Sequence, residues 1–238
     1  MEHPVIIALD FSTEATALEF VKQFPQPEQL CVKVGMELYY QTGPIIIQRL
    51  RELGCHIFLD LKLHDIPHTV EKAATIIGQL GVDLTTVHAS GGQLMMQAAV
   101  AGINAGAAKA NVAPAQILAI TQLTSTSTEM LQHELQINGA LADSVDHLAQ
   151  LAATSGVAGI VSSALEVPRI KSVTSPKFRC ITPGIRLATS PHDDQVRIVT
   201  PQHARTLGSD GIVVGRPITQ ALDPVASYEE IKKLWEGK

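Results

Sequence analysis

The chain has 238 residues, of which 45% are hydrophobic but only 4% aromatic, and its formal net charge is -5. That length suits one complete (β/α)8 barrel, and a core so poor in aromatics must be filled by Ala, Val, Ile and Leu, as in parallel strands covered by helices rather than in a β-sandwich. The scattered Lys and Arg residues leave no basic face for nucleic acid, and no apolar stretch reaches membrane-spanning length.

The opening MEHPVIIALD has no basic segment, and its apolar run ends at an acid, so a cytoplasmic protein is expected. Cys31, Cys55 and Cys180 are odd in number, and each lies in or beside an apolar run. Buried free thiols in a reducing compartment are expected, not a disulfide framework.

Along the chain, short β-rich runs alternate with helical segments. The runs are PVIIALD from Pro4, LCVKVG from Leu30, HIFLDLK from His56 and VDLTTVH from Val82, then QILAITQLT from Gln116, VAGIVSS from Val157, FRCITPG from Phe178 and GIVVG from Gly211. Eight such runs predict an α/β protein, a parallel sheet closed into a (β/α)8 TIM barrel, with residues 1–238 forming a single domain. A doubly wound open sheet is the alternative, although DFSTEA after the first run lacks the glycine-rich phosphate turn of such folds.

Helix starts are expected at Ser12 or Thr13 ahead of Glu14, and at Pro67 before the apolar stripe Val70, Ala73, Ala74 and Ile77. Gly54, Gly81 and Gly156 stand where helices would end. Segment 125–142 is longer than a plain connection and predicts a small extra helix.

Reacting groups of a (β/α)8 barrel sit at the C-terminal ends of its strands. Here those ends carry Asp10, Lys33, Asp60 and Lys62 with Asp65 just beyond, then Thr124, Thr182 with Pro183, and Gly215 with Arg216. In FLDLKLHDIP the acid and the lysine are two residues apart, so a strand points both to one face.

A lone Asp-x-Lys is equally compatible with a structural ion pair. Lys33, Asp60, Lys62 and Asp65 would together form a formally neutral, mutually compensating array, and with Asp10 at the same rim this favours a reactive site. Gly215 permits close backbone approach and Arg216 offers a planar fork suited to phosphate, where the loops after strands seven and eight of this fold usually bind one. Arg216 as a solvated surface residue is the alternative. The polar stretch IRLATSPHDDQVRIV reads either as a mobile lid carrying Arg186 and Gln195 or as an ordinary surface loop. His64 and His68 have the spacing of a metal pair, but the intervening Pro67 argues against helical geometry there. His88 reads as a positioned structural histidine, and no metal site is expected.

Taken together, ALDF at Ala8, VKVG at Val32, DLKLHDIP at Asp60, VHASGG around His88, LTS at Leu123, TPGIR at Thr182 and VVGRPI at Val213 resemble the orotidine 5'-phosphate decarboxylase family over essentially the whole chain. The resemblance implies removal of CO2 from C6 of orotidine 5'-monophosphate to give UMP, with neither metal nor organic cofactor. It implies that Lys62 protonates C6, that Asp60 lies against the substrate carboxylate, and that Lys33 holds Asp60 and a ribose hydroxyl. Asp10 would bind ribose and Thr124 the pyrimidine, with Pro183 and Thr69 among the substrate contacts. Gln195, Gly215 and Arg216, with Arg186 nearby, would hold the phosphate, and Asp65 with Ile66 would enter from the second subunit of a homodimer. Segment 187–194 matches the family only loosely.

Three other readings compete. A metal-dependent phosphosugar decarboxylase or aldolase shares the Asp-x-Lys-x-x-Asp strand, but it carries an acidic metal ligand where this chain has Lys33, a cation that would repel Mg2+. A ribulose-phosphate 3-epimerase would need opposed acids and histidines around a metal. A non-catalytic phosphosugar-binding module would have no need of buried lysines.

Overall fold

The computed structural model describes residues 3–186 and 199–237. Eight parallel strands close into a barrel in chain order. They are β1 (Val5–Ala8), β2 (Cys31–Gly35), β3 (His56–Leu63), β4 (Leu84–His88), β5 (Gln116–Ile120), β6 (Gly159–Val161), β7 (Arg179–Thr182) and β8 (Gly211–Val214). Each falls within one of the eight apolar runs except β3, which extends one residue past its run to Leu63. Closure is made by β1 on β8, with Val5, Ile6 and Ile7 opposite Ile212, Val213 and Val214. The barrel is therefore closed, as expected, and the open doubly wound sheet is ruled out.

Period-two alternation divides each strand between two cores. Ile6, Ala8, Cys31, Phe58, Leu84, Leu118, Ile181 and Val213 fill the barrel interior. The intervening residues, among them Ile7, Val32, Ile57, Leu59 and Val87, pack outward under the helices. Each such side chain taken fully out of water contributes roughly 1.5–3 kcal/mol. The interior filling stops one layer below the C-terminal mouth, where charged residues take over.

The covering helices are α1 (Glu14–Val21), α2 (Met36–Thr42), α3 (Ile45–Glu52), α4 (Pro67–Leu80), α5 (Gly92–Ala110), α6 (Leu141–Thr154), α7 (Val167–Val173), α8 (Pro201–Thr206), α9 (Arg216–Thr219) and α10 (Pro224–Glu236). Thr13 caps α1, its side chain accepting from the N–H of Thr16, and Pro67 opens α4 at a position where a missing N–H costs nothing. Gly81 ends α4 with φ +65°, and a Cβ there would also collide with the guanidinium of Arg51. The small helix expected in 125–142 is a single π-type turn, Met130–Glu134. Among the described residues no helix is long and apolar enough to cross a membrane. The three cysteines are unpaired and buried.

Candidate active site

The charged layer at the mouth forms two ion pairs. Lys33 Nζ donates to Asp10 Oδ1 at 3.0 Å, and Lys62 Nζ donates to Asp60 Oδ2 at 2.8 Å. Asp60 is largely buried and Lys62 about a quarter exposed, whereas Asp10 is open to solvent. The β1–β2 register sets Ala8 opposite Lys33, so Asp10, two residues further on, rises beside the lysine at the rim. Gly35 leaves the space this pair occupies: a Cβ there would lie 3.1 Å from Lys33 Nζ and 3.5 Å from Asp10 Oδ1.

This differs from the expected four-membered array. Lys33 is paired with Asp10 and not with Asp60, and Asp65 stands outside both pairs within the single chain. Its exposed carboxylate accepts from the N–H of Ile66 at 2.6 Å, and Ile66 itself is 66% exposed. Thr69, in the first turn of α4, is exposed as well.

Asp60 and Lys62 do share a face, but not by plain strand geometry. Lys62 has φ +53°, and the pairing of β3 with β4 shifts between Leu59 and Leu63. The left-handed region is costly for a residue with a Cβ and persists only where the surroundings enforce it.

Beside the pairs lies a cavity of about 150 Å3, lined by Lys33, Asp60 and Lys62 on one side and by Leu123, Thr124, Ser162 and Pro183 on the other, with Phe58, Ile120, Gln122, Val161 and Val213 below. The expected Thr124 and Pro183 are thus present, although β5 ends at Ile120 and Thr124 belongs to the following loop. Thr182 faces away and shares a hydrogen bond with Ser209. Strand β8 ends at Val214, one residue before the expected end, so that Gly215 caps α9 and Arg216 opens it, both half-buried. Arg186 is buried, its Nη1 donating to the carbonyl of Ile185, and its backbone pairs with Val199. Gln195 lies outside the described residues, as does all of the supposed lid, 185–199, except Ile185, Arg186 and Val199.

His88 closes β4, its ring 5.5 Å from that of His64. Burial first, then the cations His64 and Lys62 would present beside it, hold its imidazole below the ordinary range. Among the described residues no three His, Cys, Asp or Glu side chains gather as metal ligands do.

A larger cavity, about 470 Å3, opens at the opposite end of the barrel near His56, Asp83, Gln116 and Arg179. Its polar groups are committed to the fold. Asp83 takes His56 Nδ1 at 2.9 Å and the N–H of Ile57 at 2.8 Å, Arg51 caps the carbonyls of Leu80 and Gly81, and Arg179 bonds Gln116. Function in this fold belongs to the other face, where the ion pairs and the smaller cavity coincide.

Sequence reasoning passed over Gly35, Thr86, Gln122 and Ser162. Gly35 carried a signal, a glycine ending a strand just after a lysine. The other three are uncharged polar residues in apolar runs and look like ordinary strand residues.

A closed barrel whose C-terminal mouth sets a lysine ammonium against a largely buried carboxylate, beside a cavity, has the arrangement of a barrel enzyme's active site. Comparison with known proteins narrows this. The chain belongs to the orotidine 5'-phosphate decarboxylase / HUMPS family, whose model matches residues 3–231. It is 56% identical over 237 residues to an orotidine 5'-phosphate decarboxylase of Latilactobacillus sakei, covering 100% of this chain and 99% of that protein. It is 54% identical over 233 residues to the protein of that name from Enterococcus faecalis, covering 98% of both. The crystal structure of orotidine 5'-phosphate decarboxylase from Lactobacillus acidophilus superposes with a TM-score of 0.89 at 42% identity, covering 98% of this chain and 99% of that one.

Proposed function

We propose that this chain is a carboxy-lyase that converts orotidine 5'-monophosphate to UMP and CO2, a step of pyrimidine biosynthesis. The observation that carries the reading is the Lys62–Asp60 pair, 2.8 Å apart and mostly out of water at the barrel mouth. In the reaction the bond between C6 and the carboxylate carbon breaks, CO2 leaves neutral, and the electron pair stays on C6. No adjacent group delocalises that charge well, so the site must supply fixed positive charge and a proton. The Lys62 ammonium supplies both: it faces the developing carbanion, donates a proton to C6 and is left as the neutral amine. Asp60, held beside it, opposes the substrate carboxylate more than the neutral product, a ground-state effect that adds to carbanion stabilisation.

The rest of the reading distributes binding around this pair. Asp10 and Lys33 take ribose, Thr124 and Pro183 the base side of the cavity, and Gly215 and Arg216, with Arg186 and Gln195, the phosphate. Ile66, Thr69 and Asp65 complete the site, with Asp65 and Ile66 reaching it from the second subunit of a homodimer. In support, Ile66 is 66% exposed beside a carboxylate that, among the described residues, no cation of its own chain engages. The chain acts as one barrel domain, 1–238, and its three unpaired thiols suit the reducing cytoplasm. Neither metal nor organic cofactor enters this chemistry, and Lys33 would repel a divalent cation at the rim.

Loss of orotidylate absorbance, followed with and without a chelator, tests the reading. The native chain should turn over equally in both conditions, and Lys62→Ala should bind UMP yet show no turnover. Chelator-sensitive activity, or retained activity in Lys62→Ala, would refute the mechanism.

A further inference from the structure

The backbone around the reactive lysine lacks its ordinary support. From Leu59 to Leu63 strand β3 advances four residues while β4 advances two, from Thr85 to Val87, so the regular ladder is interrupted across Asp60, Leu61 and Lys62. Within that gap the N–H of Lys62 donates to a side chain, Thr86 Oγ1, at 2.9 Å. The same hydroxyl donates its one proton to Asp60 Oδ1 at 2.9 Å, and the other carboxylate oxygen receives Lys62 Nζ at 2.8 Å. The result is a closed ring from the lysine backbone through Thr86 and Asp60 back to the lysine ammonium.

Thr86 has no solvent exposure, so water cannot replace it. A hydroxyl is the group that can accept from the amide and donate to the carboxylate at a single atom.

We infer that Thr86 is a positioning residue for decarboxylation. Its hydroxyl holds Lys62 in the left-handed backbone conformation and fixes the rotation of the Asp60 carboxylate, and thereby aims the ammonium. The inference rests on the proposed activity for its kinetic consequence, but its geometric content stands apart from it. Thr85, the adjacent residue of β4, provides the internal contrast: its hydroxyl is equally buried and has no hydrogen-bond partner.

The test compares Thr86→Val, which keeps the shape and removes the hydroxyl, with Thr86→Ser, which keeps the hydroxyl, and with Thr85→Val. Because a misplacement of ~1 Å costs about a hundredfold in rate, Thr86→Val should lower kcat by about that factor while UMP affinity stays within about threefold. Thr86→Ser should recover most of the rate, and Thr85→Val should leave it unchanged. Crystal structures of the Thr86 variants read the geometry without an activity assay. Lys62 should leave the left-handed region, or Asp60 rotate, in Thr86→Val and in neither case in Thr86→Ser.

Inactivity of the native chain on orotidylate would remove the proposed function, and those structures would still decide the positioning role. An unmoved Asp60–Lys62 pair in Thr86→Val, an undiminished kcat, or equal losses in the Ser and Val variants would overturn the inference. So would failure of Thr86→Val to fold while Thr86→Ser and Thr85→Val fold, which would assign the hydroxyl to the barrel and not to the site.

Discussion

Gly35→Ala isolates the Lys33–Asp10 pair without touching either charged residue. Gly35 sits at φ -90° and ψ -176°, extended backbone that alanine adopts freely. The new Cβ would lie 3.1 Å from Lys33 Nζ, closer than a carbon and an ammonium normally pack, so the ammonium must retreat by a few tenths of an ångström. Two effects on stability then oppose each other. Replacing glycine at a compatible position stabilises by about 0.4–1 kcal/mol through the unfolded chain, while loosening a pair with one open partner costs about 0.2–1 kcal/mol. They nearly cancel, and since 1 kcal/mol moves Tm by roughly 2–4 °C at this size, Tm should hold within about that range. Function should not hold, because a shift of a few tenths of an ångström in the group proposed to hold the ribose scales to a loss of about three- to tenfold in kcat/KM, given the hundredfold cost of ~1 Å. UMP affinity should weaken in parallel. Titration calorimetry with UMP, in the native and the Lys33→Ala backgrounds, shows whether the effect runs through Lys33, since coupled neighbours are not additive. A larger fall in Tm, an unchanged affinity, or the same loss from Gly35→Ala in both backgrounds would refute the reasoning.

Mixing inactive Lys62→Ala and Asp65→Ala chains should restore activity, because a shared site leaves one site of the mixed dimer with both lesions and the other with neither; no rescue would place Asp65 in its own chain's site. Thermal stability should be flat toward pH 9 and fall above it. Burial pushes the Cys180 thiol from 9.0 up to about 12 and the Cys55 thiol up to about 11, so above pH 9 the unfolded chain ionises while the folded one does not, and the thiols' contribution, complete below 9, is lost as pH rises through those folded values. Cys180→Ala should flatten that slope in scanning calorimetry, and an unchanged slope would show that its thiol does not set it.

What could be read from the sequence was whatever depends on a residue and its near neighbours. Eight apolar runs of strand length, Pro67 at a helix start and Gly81 at a helix end all act locally, and each stands where the pattern puts it. Asp60 and Lys62 were legible as partners from their spacing of two, although the irregular β3–β4 pairing, and not plain strand alternation, is what brings them to one face. Relations that depend on how one strand is staggered against the next were not legible. Lys33 meets Asp10 and not Asp60 because of the β1–β2 register, and nothing within VKVG encodes that stagger. Thr86 is the sharper case. In LTTVH it is one of two threonines with identical β-propensity, and their roles diverge only because β3 advances two extra residues opposite them and because alternation sends one hydroxyl into the mouth and the other beneath the helices. The irregular lysine backbone is itself a product of that mismatch, since a residue with a Cβ occupies φ +53° only under tertiary constraint. Local chemistry therefore announces the candidate reactive groups, while the stagger between strands decides which groups are hydrogen-bonded to them.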